Sequence, residues 1–276
     1  MRQKPGTITY RPDAAEAERA GRYAPAAAVA ARPRARWLGL ERGLAVLLVL
    51  YLLSLPFMAH DIRAADEIEY FSYLRSLTFD HDLDFTDEYQ HFYDRYPEKY
   101  TESGFKRTFL DETTPTGRRK NFGPIGTALL WSPFYAVGHI VALTARALGA
   151  PVAADGYSKP YIWAITFGSA FEALAGLMLS YLVARRLVGE WAAFWATLAI
   201  WLATPTIFYS HFAPGYSHAA SLFAVSLFLF LWFRWRDAPT WGRWLLLGAA
   251  GGLVAMVREQ DALFLAVPAV YAGIGA

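Results

Sequence analysis

Between Trp191 and Phe233 the chain carries no Asp, Glu, Lys or Arg, and this uncharged run constrains the fold more than any other feature. The hydrocarbon core of a bilayer is about 30 Å thick and takes about 20 mostly apolar helical residues to cross, so the run suits two consecutive spans. Gly43 to Ala59 and Asn121 to Ala145 lack the same four residue types. Hydrophobic residues make up 55% of the 276. Two soluble domains, which the length alone would allow, are therefore excluded. The expected fold class is all-α, a polytopic membrane helix bundle. Cysteine is absent, which removes disulfides and thiolate metal sites.

Charge sets the orientation. Arg2, Lys4, Arg11, Arg19, Arg22, Arg32, Arg34, Arg36 and Arg42 all precede the first apolar run, which places the N-terminus in the cytoplasm by the positive-inside rule. Residues 1–36, rich in Ala, Arg and Pro towards their end, read as a disordered basic tail, and 37–276 as the membrane domain. No small-residue cleavage motif follows the first run, so it reads as a retained anchor. Arg185, Arg186, Arg234, Arg236 and Arg243 also belong on the cytoplasmic side. All five fit only if Asn121–Ala145 does not cross fully. Pro124, Pro133 and Gly138 interrupt a regular helix there, and the segment is expected to lie at, or dip into, the outer face. Span one then runs out over about 43–59, and an outer loop with interfacial helices follows over about 60–158. Span two comes in over about 160–184, span three goes out over about 191–208, and span four returns over about 218–233. Span five starts near Trp244 and reaches the outer boundary near Arg258, and a further apolar run follows.

Fourteen of the 24 acidic residues fall between Asp61 and Glu112, inside that outer loop. From Glu67 to Leu77 the residues Ile68, Tyr70, Phe71, Tyr73, Leu74 and Leu77 recur at helical spacing, which predicts an amphipathic interfacial helix. Asp66 falls at its N-cap or first turn, where an acid also serves capping alone. Asp80, Asp82, Asp84, Asp87 and Glu88 begin like a calcium loop. However, Phe85 stands where the sharp-turn Gly belongs and His91 where the bidentate Glu belongs, so a solvated loop is the better reading, with a looser divalent site as the alternative. Lys106, Arg107, Arg118, Arg119 and Lys120 then supply a basic stretch, suited either to anionic headgroups or to a phosphate clamp.

A basic tail, one span, and Asp66-Glu67-Ile68-Glu69-Tyr70 opening an outer helix resemble the GT-C-type integral-membrane glycosyltransferases. That group includes the protein O-mannosyltransferases and the lipid A aminoarabinose transferases. Gly123-Pro124 with Leu130-Trp131-Ser132-Pro133-Phe134-Tyr135, the turn Ala184 to Gly189, and Gly251-Gly252-Leu253 through Met256-Val257-Arg258 resemble family segments in the same order. The match covers about residues 40–270 and is to the N-terminal portion of such enzymes, which carry more spans. The resemblance implies an inverting transfer on the outer face of a bacterial inner membrane. The sugar would pass from a polyprenyl-phosphate donor to a lipid, glycan or protein acceptor. It assigns Asp66 as general base with Glu67 in support, and Arg258 and Lys120 as ligands of the donor phosphate. It implies no metal or cofactor, and nucleic acid is not among the expected partners. Relatives of the aminoarabinose-transferase kind have a second acid in the next outer turn. Here Tyr209 to His218 has no carboxylate, which leaves His211 and His218 as candidate accessory groups or as structural ones.

Glu172 is the one acid deep in a span. Intramembrane acids are functional candidates, but Gly168, Ser169, Ala170 and Gly176 around it suit close packing and a hydrogen bond across helices. With the broken apolar segment, Glu172 keeps a transporter or lipid flippase open as the alternative. A non-catalytic membrane scaffold whose loop binds a partner is a third reading.

Overall fold

The computed structural model describes residues 41–238 and 240–274, so the predicted tail over 1–36 lies outside the described residues. Among these the chain is helical, with a lone bridge between Thr113 and Arg119 in place of any strand. Its helices, numbered here in chain order, are α1 (Arg42–Ser54), α2 (Ala65–Arg75), α3 (Thr86–Arg95), α4 (Pro97–Glu102) and α5 (Gly126–Ala147). They continue with α6 (Lys159–Val188), α7 (Glu190–Ala203), α8 (His218–Trp235), α9 (Trp241–Val257) and α10 (Ala266–Ile274). Helices α5, α6 and α8 are long and apolar enough to cross a membrane, and Arg42–Phe57, α7 and α9 are shorter apolar ones. The boundaries follow local chemistry. Helix α7 stops at Ala203 because Thr204 precedes Pro205, and a residue before proline is pushed out of the helical region. Thr240 opens α9 by accepting the Arg243 amide at 3.4 Å, an N-cap bond.

Long-range contacts show how the helices line up. Helix α1 runs against α6. Gly43 donates its amide to Glu190 at 2.9 Å, and the Tyr51 hydroxyl donates to the Ala170 carbonyl at 2.8 Å. Near the other end of α1, His60 meets Thr166 at 2.9 Å. Helix α8 is parallel to α6, because Gly176 packs on Leu222 and Ser180 meets Ser226 at 2.8 Å. One end of the bundle thus gathers Glu41, the ion pair it makes with Arg185 at 2.8 Å, and the turn from Arg234 to Arg243. The opposite end carries α2 and the start of α8.

Helix α5 departs from the sequence expectation. It is a continuous helix of 22 residues with Pro133 inside it, not a broken segment. Proline cannot donate to the carbonyl four residues back, which is that of Leu129. The Ser132 hydroxyl donates to that carbonyl instead, at 2.8 Å, so the helix passes through. Helix α5 is antiparallel to the first half of α6 only. Trp131 donates to Ser169 at 2.8 Å, and Gly138 is closed over by Pro160, Tyr161 and Ala164. The second half of α6 is flanked by α1, α7 and α8. Helix α5 and the start of α6 therefore form a hairpin, with Val137, Ile140, Trp163 and Phe167 exposed on it.

Helix α2 also differs from expectation. Rather than lying on an interface with one apolar face, it buries Glu67, Ile68, Glu69, Tyr70, Phe71, Ser72 and Leu74. The segment that follows α1 has enough aromatic residues to enclose it. Phe71 meets Phe92 at 5.5 Å and Tyr135 at 6.1 Å, in the same core as Tyr89, Phe105 and Trp131.

The acidic run after α2 resolves into local bonds. Asp80 pairs with Arg75, and Asp82 accepts from Ser76 at 2.9 Å. Asp84 accepts from the Thr86 amide at 3.1 Å, and Glu88 is fully buried against Arg75 at 3.3 Å. No cluster of His, Asp or Glu among the described residues could hold a metal ion.

Candidate active site

The first turn of α2 is held from three sides. The Ala59 amide donates to the His211 carbonyl at 2.7 Å, and the Tyr100 hydroxyl donates to the Arg63 carbonyl at 2.9 Å. Glu67 reaches back to accept the Arg63 and Ala64 amides at 2.7 and 2.9 Å. Those two amides precede the first helical bonds and have no partner within the helix. Glu67 is thus a capping group. Burial raises its carboxyl pKa, and the same two amides oppose the rise.

Asp66 is exposed and lines a pocket of about 260 Å³. Tyr70, one turn along α2, lines the same pocket, as do Phe122 and Pro124 from the stretch before α5 and Ser217 and His218 from the start of α8. Arg258, Glu259 and Gln260 come from the end of α9. Four separated stretches therefore meet here, and their meeting has a visible cause. Gly126 sits directly on the Met256 carbonyl and the Val257 nitrogen, so that a methyl group at 126 would overlap both. That contact brings Arg258, the next residue, to the head of α5. With its amide oxygen turned towards Arg258, Gln260 accepts from Nη2 and Nε at 2.6 and 3.0 Å and holds the guanidinium flat. The Tyr70 hydroxyl donates to Ser217 at 3.2 Å. Its pKa is raised by burial first and then by Asp66 and Glu69, while Ser217 and Arg258 oppose the rise.

Glu69, three residues beyond Asp66, accepts the Phe122 amide, while the Asn121 side chain donates to the Glu69 carbonyl at 3.1 Å. Tyr73 donates to the Gly123 carbonyl at 3.1 Å. Together these bonds clamp 121–123 along α2. Burial, and after it the charge of Asp66, lifts the Glu69 carboxyl to about 7, while the Phe122 amide pulls the other way. Neither Glu69 nor Tyr70 was singled out as a site residue from the sequence, although their i+3 and i+4 spacing from Asp66 was legible there.

The remaining predicted groups lie as follows. Lys120 does not line this pocket. Its ammonium bonds Glu112 at 2.5 Å, which lowers the Glu112 pKa. His211 is buried, with Ser54 on Nε2 at 2.7 Å and Ser210 on Nδ1 at 2.8 Å, and it joins the end of α1 to the turn before α8. Burial lowers its pKa, which keeps the ring neutral. His218 does line the pocket and stacks on Tyr209 with ring centres 3.6 Å apart. Glu172 is buried, and neither of its oxygens has a protein hydrogen bond. The pairing of Trp131 with Ser169 puts it level with Thr127 of α5, whose hydroxyl is likewise unpartnered.

The pocket combines an exposed carboxylate with a braced guanidinium. That pair can take a proton on one side and hold an anion on the other. Its volume sits below the roughly 300–1,000 Å³ of sites that enclose a whole small ligand, so it suits a headgroup. No family model, no curated protein and no solved structure matches this chain.

Proposed function

We propose that this protein is a membrane glycosyltransferase of the GT-C type, moving a sugar from a polyprenyl-phosphate donor to an acceptor hydroxyl on the outer face of a bacterial inner membrane. The observation that carries this reading is the shared pocket of Asp66 and Arg258, residues far apart in the chain. In the proposed reaction Asp66 accepts the proton of the acceptor hydroxyl as its oxygen bonds to the anomeric carbon. The bond from that carbon to the phosphate oxygen breaks, and polyprenyl phosphate leaves with its electron pair, its charge met by Arg258. Inversion follows from attack opposite the leaving group. Glu67 supports the base by capping the turn that carries it. Lys120, engaged by Glu112, is proposed as a secondary cation at most. An N-terminus in the cytoplasm belongs to the same proposal, with the Arg185 end of the bundle on that side.

The test uses purified protein in nanodiscs, with farnesyl phosphate as the binding probe and release of prenyl phosphate from a prenyl-phosphate sugar as the activity. General-base catalysis is worth about 10²–10⁴ in rate, so Asp66→Asn is expected to lower release at least 100-fold with binding retained. Arg258→Ala is expected to weaken farnesyl phosphate binding about tenfold or more. Unchanged binding in Arg258→Ala together with unchanged release in Asp66→Asn sinks the reading. In that case the flippase alternative, which rests on the unpartnered Glu172, takes its place.

A further inference from the structure

The turn that joins α8 to α9 carries Arg234, Arg236 and Arg243 against a single acid, Asp237. Arginines beside an apolar helix attract anionic lipid loosely wherever they occur. What distinguishes this turn is how its cations are held.

Arg236, the residue after α8, lies among three rings. Its guanidinium carbon is 5.5 Å from the ring centre of Trp232 and 4.8 Å from those of Phe233 and Tyr271. Tyr271 belongs to α10 and meets Trp232 edge-on at 5.2 Å, so α10 returns to the end of α8 and closes one side of the cation. Packing on aromatic faces fixes a guanidinium and leaves its in-plane N–H groups free to bond. Nε of Arg236 is buried and has no protein hydrogen bond. Among the described residues its one ion pair is loose, with Asp237 at 3.8 Å and that side chain 82% exposed. Arg243 is tied down separately by donating to the Ala238 carbonyl. Both arginines line one cleft between α8 and α9, with Trp232, Trp235 and Trp244 as its aromatic walls. At the same end of the bundle Arg185 is matched closely by Glu41, at 2.8 Å. The cleft has no such counter-charge.

We propose that this cleft binds the phosphodiester head of an anionic membrane phospholipid. Three arginines less one aspartate leave a charge of +2 on the turn, and planar guanidinium groups match phosphate oxygens two at a time. The flank of the cleft favours a lipid over a free anion. Trp241 and Trp244 are 88% and 52% exposed, and Leu245 beside them is exposed too. Tryptophan in that position suits the boundary between headgroups and chains, and inorganic phosphate has nothing to place against it. A zwitterionic head would bring its own ammonium up to the arginines. The assignment needs only a bilayer around α8, which is long and apolar enough to cross one, and it stands apart from the sugar transfer.

The test is native mass spectrometry of the full chain in detergent, with dihexanoyl phosphatidylglycerol, dihexanoyl phosphatidylcholine and inorganic phosphate as separate probes. One phosphatidylglycerol is expected to be retained about tenfold more tightly than phosphatidylcholine, and Arg236→Gln with Arg243→Gln is expected to abolish that preference. Asp237→Asn, at an exposed position, is expected to tighten binding about threefold, the size of one exposed ion pair. Trp241→Ala, also exposed, is expected to weaken it several-fold. These two surface changes keep the test decisive should the double variant fail to fold, which its melting temperature without lipid reports. A phosphatidylglycerol with a diazirine in one chain should label the peptide spanning 232–247. Equal retention of the two lipids marks annular lipid only and overturns the proposal. Displacement of phosphatidylglycerol by an equal concentration of inorganic phosphate overturns it in favour of a plain anion site. Preference that survives in the folded double variant overturns it, as does binding that neither Asp237→Asn nor Trp241→Ala alters.

Discussion

Gly126 does at the scale of one residue what no motif announces. Its missing side chain lets the head of α5 rest on the backbone of Met256 and Val257. Backbone cannot move aside as a flexible side chain can, so Gly126→Ala should cost about 1–3 kcal/mol, as overpacking does. It should also displace Arg258, giving a lower melting temperature and weaker farnesyl phosphate binding together. A melting shift with unchanged binding would separate the contact from the pocket. Glu69 sets a pH dependence. Its carboxyl is raised from 4.5 to about 7 by burial, so the folded state resists its ionisation. It contributes no penalty below pH 4.5. Stability falls as pH rises from 4.5 to 7, and above that the loss is constant at about 3 kcal/mol, from 1.36 kcal/mol per pH unit. Glu69→Gln keeps an oxygen for the Phe122 amide and should raise the melting temperature at pH 8 while leaving it unchanged at pH 4. Glu88, also lifted to about 7 by burial, should retain a slope of its own in that variant. A wild-type melting temperature that is flat across pH 4.5 to 7 would contradict the argument.

Among the elements, α5 is the informative one. Read for its prolines it should break, yet a single hydroxyl on the preceding residue carries it through. Ser132→Ala leaves the Leu129 carbonyl without its donor and should cost about 1 kcal/mol, visible as faster amide exchange over 126–134. The hairpin with α6 depends on closeness at Gly138, where an added methyl would meet the Pro160 carbonyl at 2.8 Å. Gly138→Leu should part the two helices and expose the 150–158 connection to protease while total helicity stays unchanged. Protection equal to wild type would show that the hairpin is held elsewhere. The predicted interfacial helix over Glu67–Leu77 was right as a helix and wrong as a surface element. Spacing gives the period, but only the other aromatic residues of the segment decide whether the polar face is covered as well.

For the whole molecule the deciding element is α5. Its length and hydropathy allow a crossing. Its pairing with only the first half of α6 favours a hairpin kept at the end of the bundle that carries α2. The chain has no cysteine, so single cysteines can report sidedness without background. Thr116→Cys and Ala153→Cys, both at exposed positions, should react with an impermeant maleimide from outside intact spheroplasts, and Asp237→Cys should not. Labelling of Ala153→Cys from the cytoplasmic side alone would mean that α5 crosses fully and that the order of later spans reverses.

The amino-acid order by itself determined the long apolar helices, because apolar runs and the charges at their ends act within a few residues of themselves; it carried the third span on to about 208, past the Pro205 that makes α7 stop at Ala203. Counting crossings from those charges also put Asp66, Lys120 and Arg258 at one end of the molecule. Tertiary structure decided which of them meet. Arg258 reaches the Asp66 pocket because Gly126 admits the backbone of α9, and Lys120 is kept from it by Glu112. The turn of α2 aims Asp66 and Glu67 into different volumes. Contacts between residues more than a hundred positions apart depend on how whole helices stack, and no local pattern encodes that register.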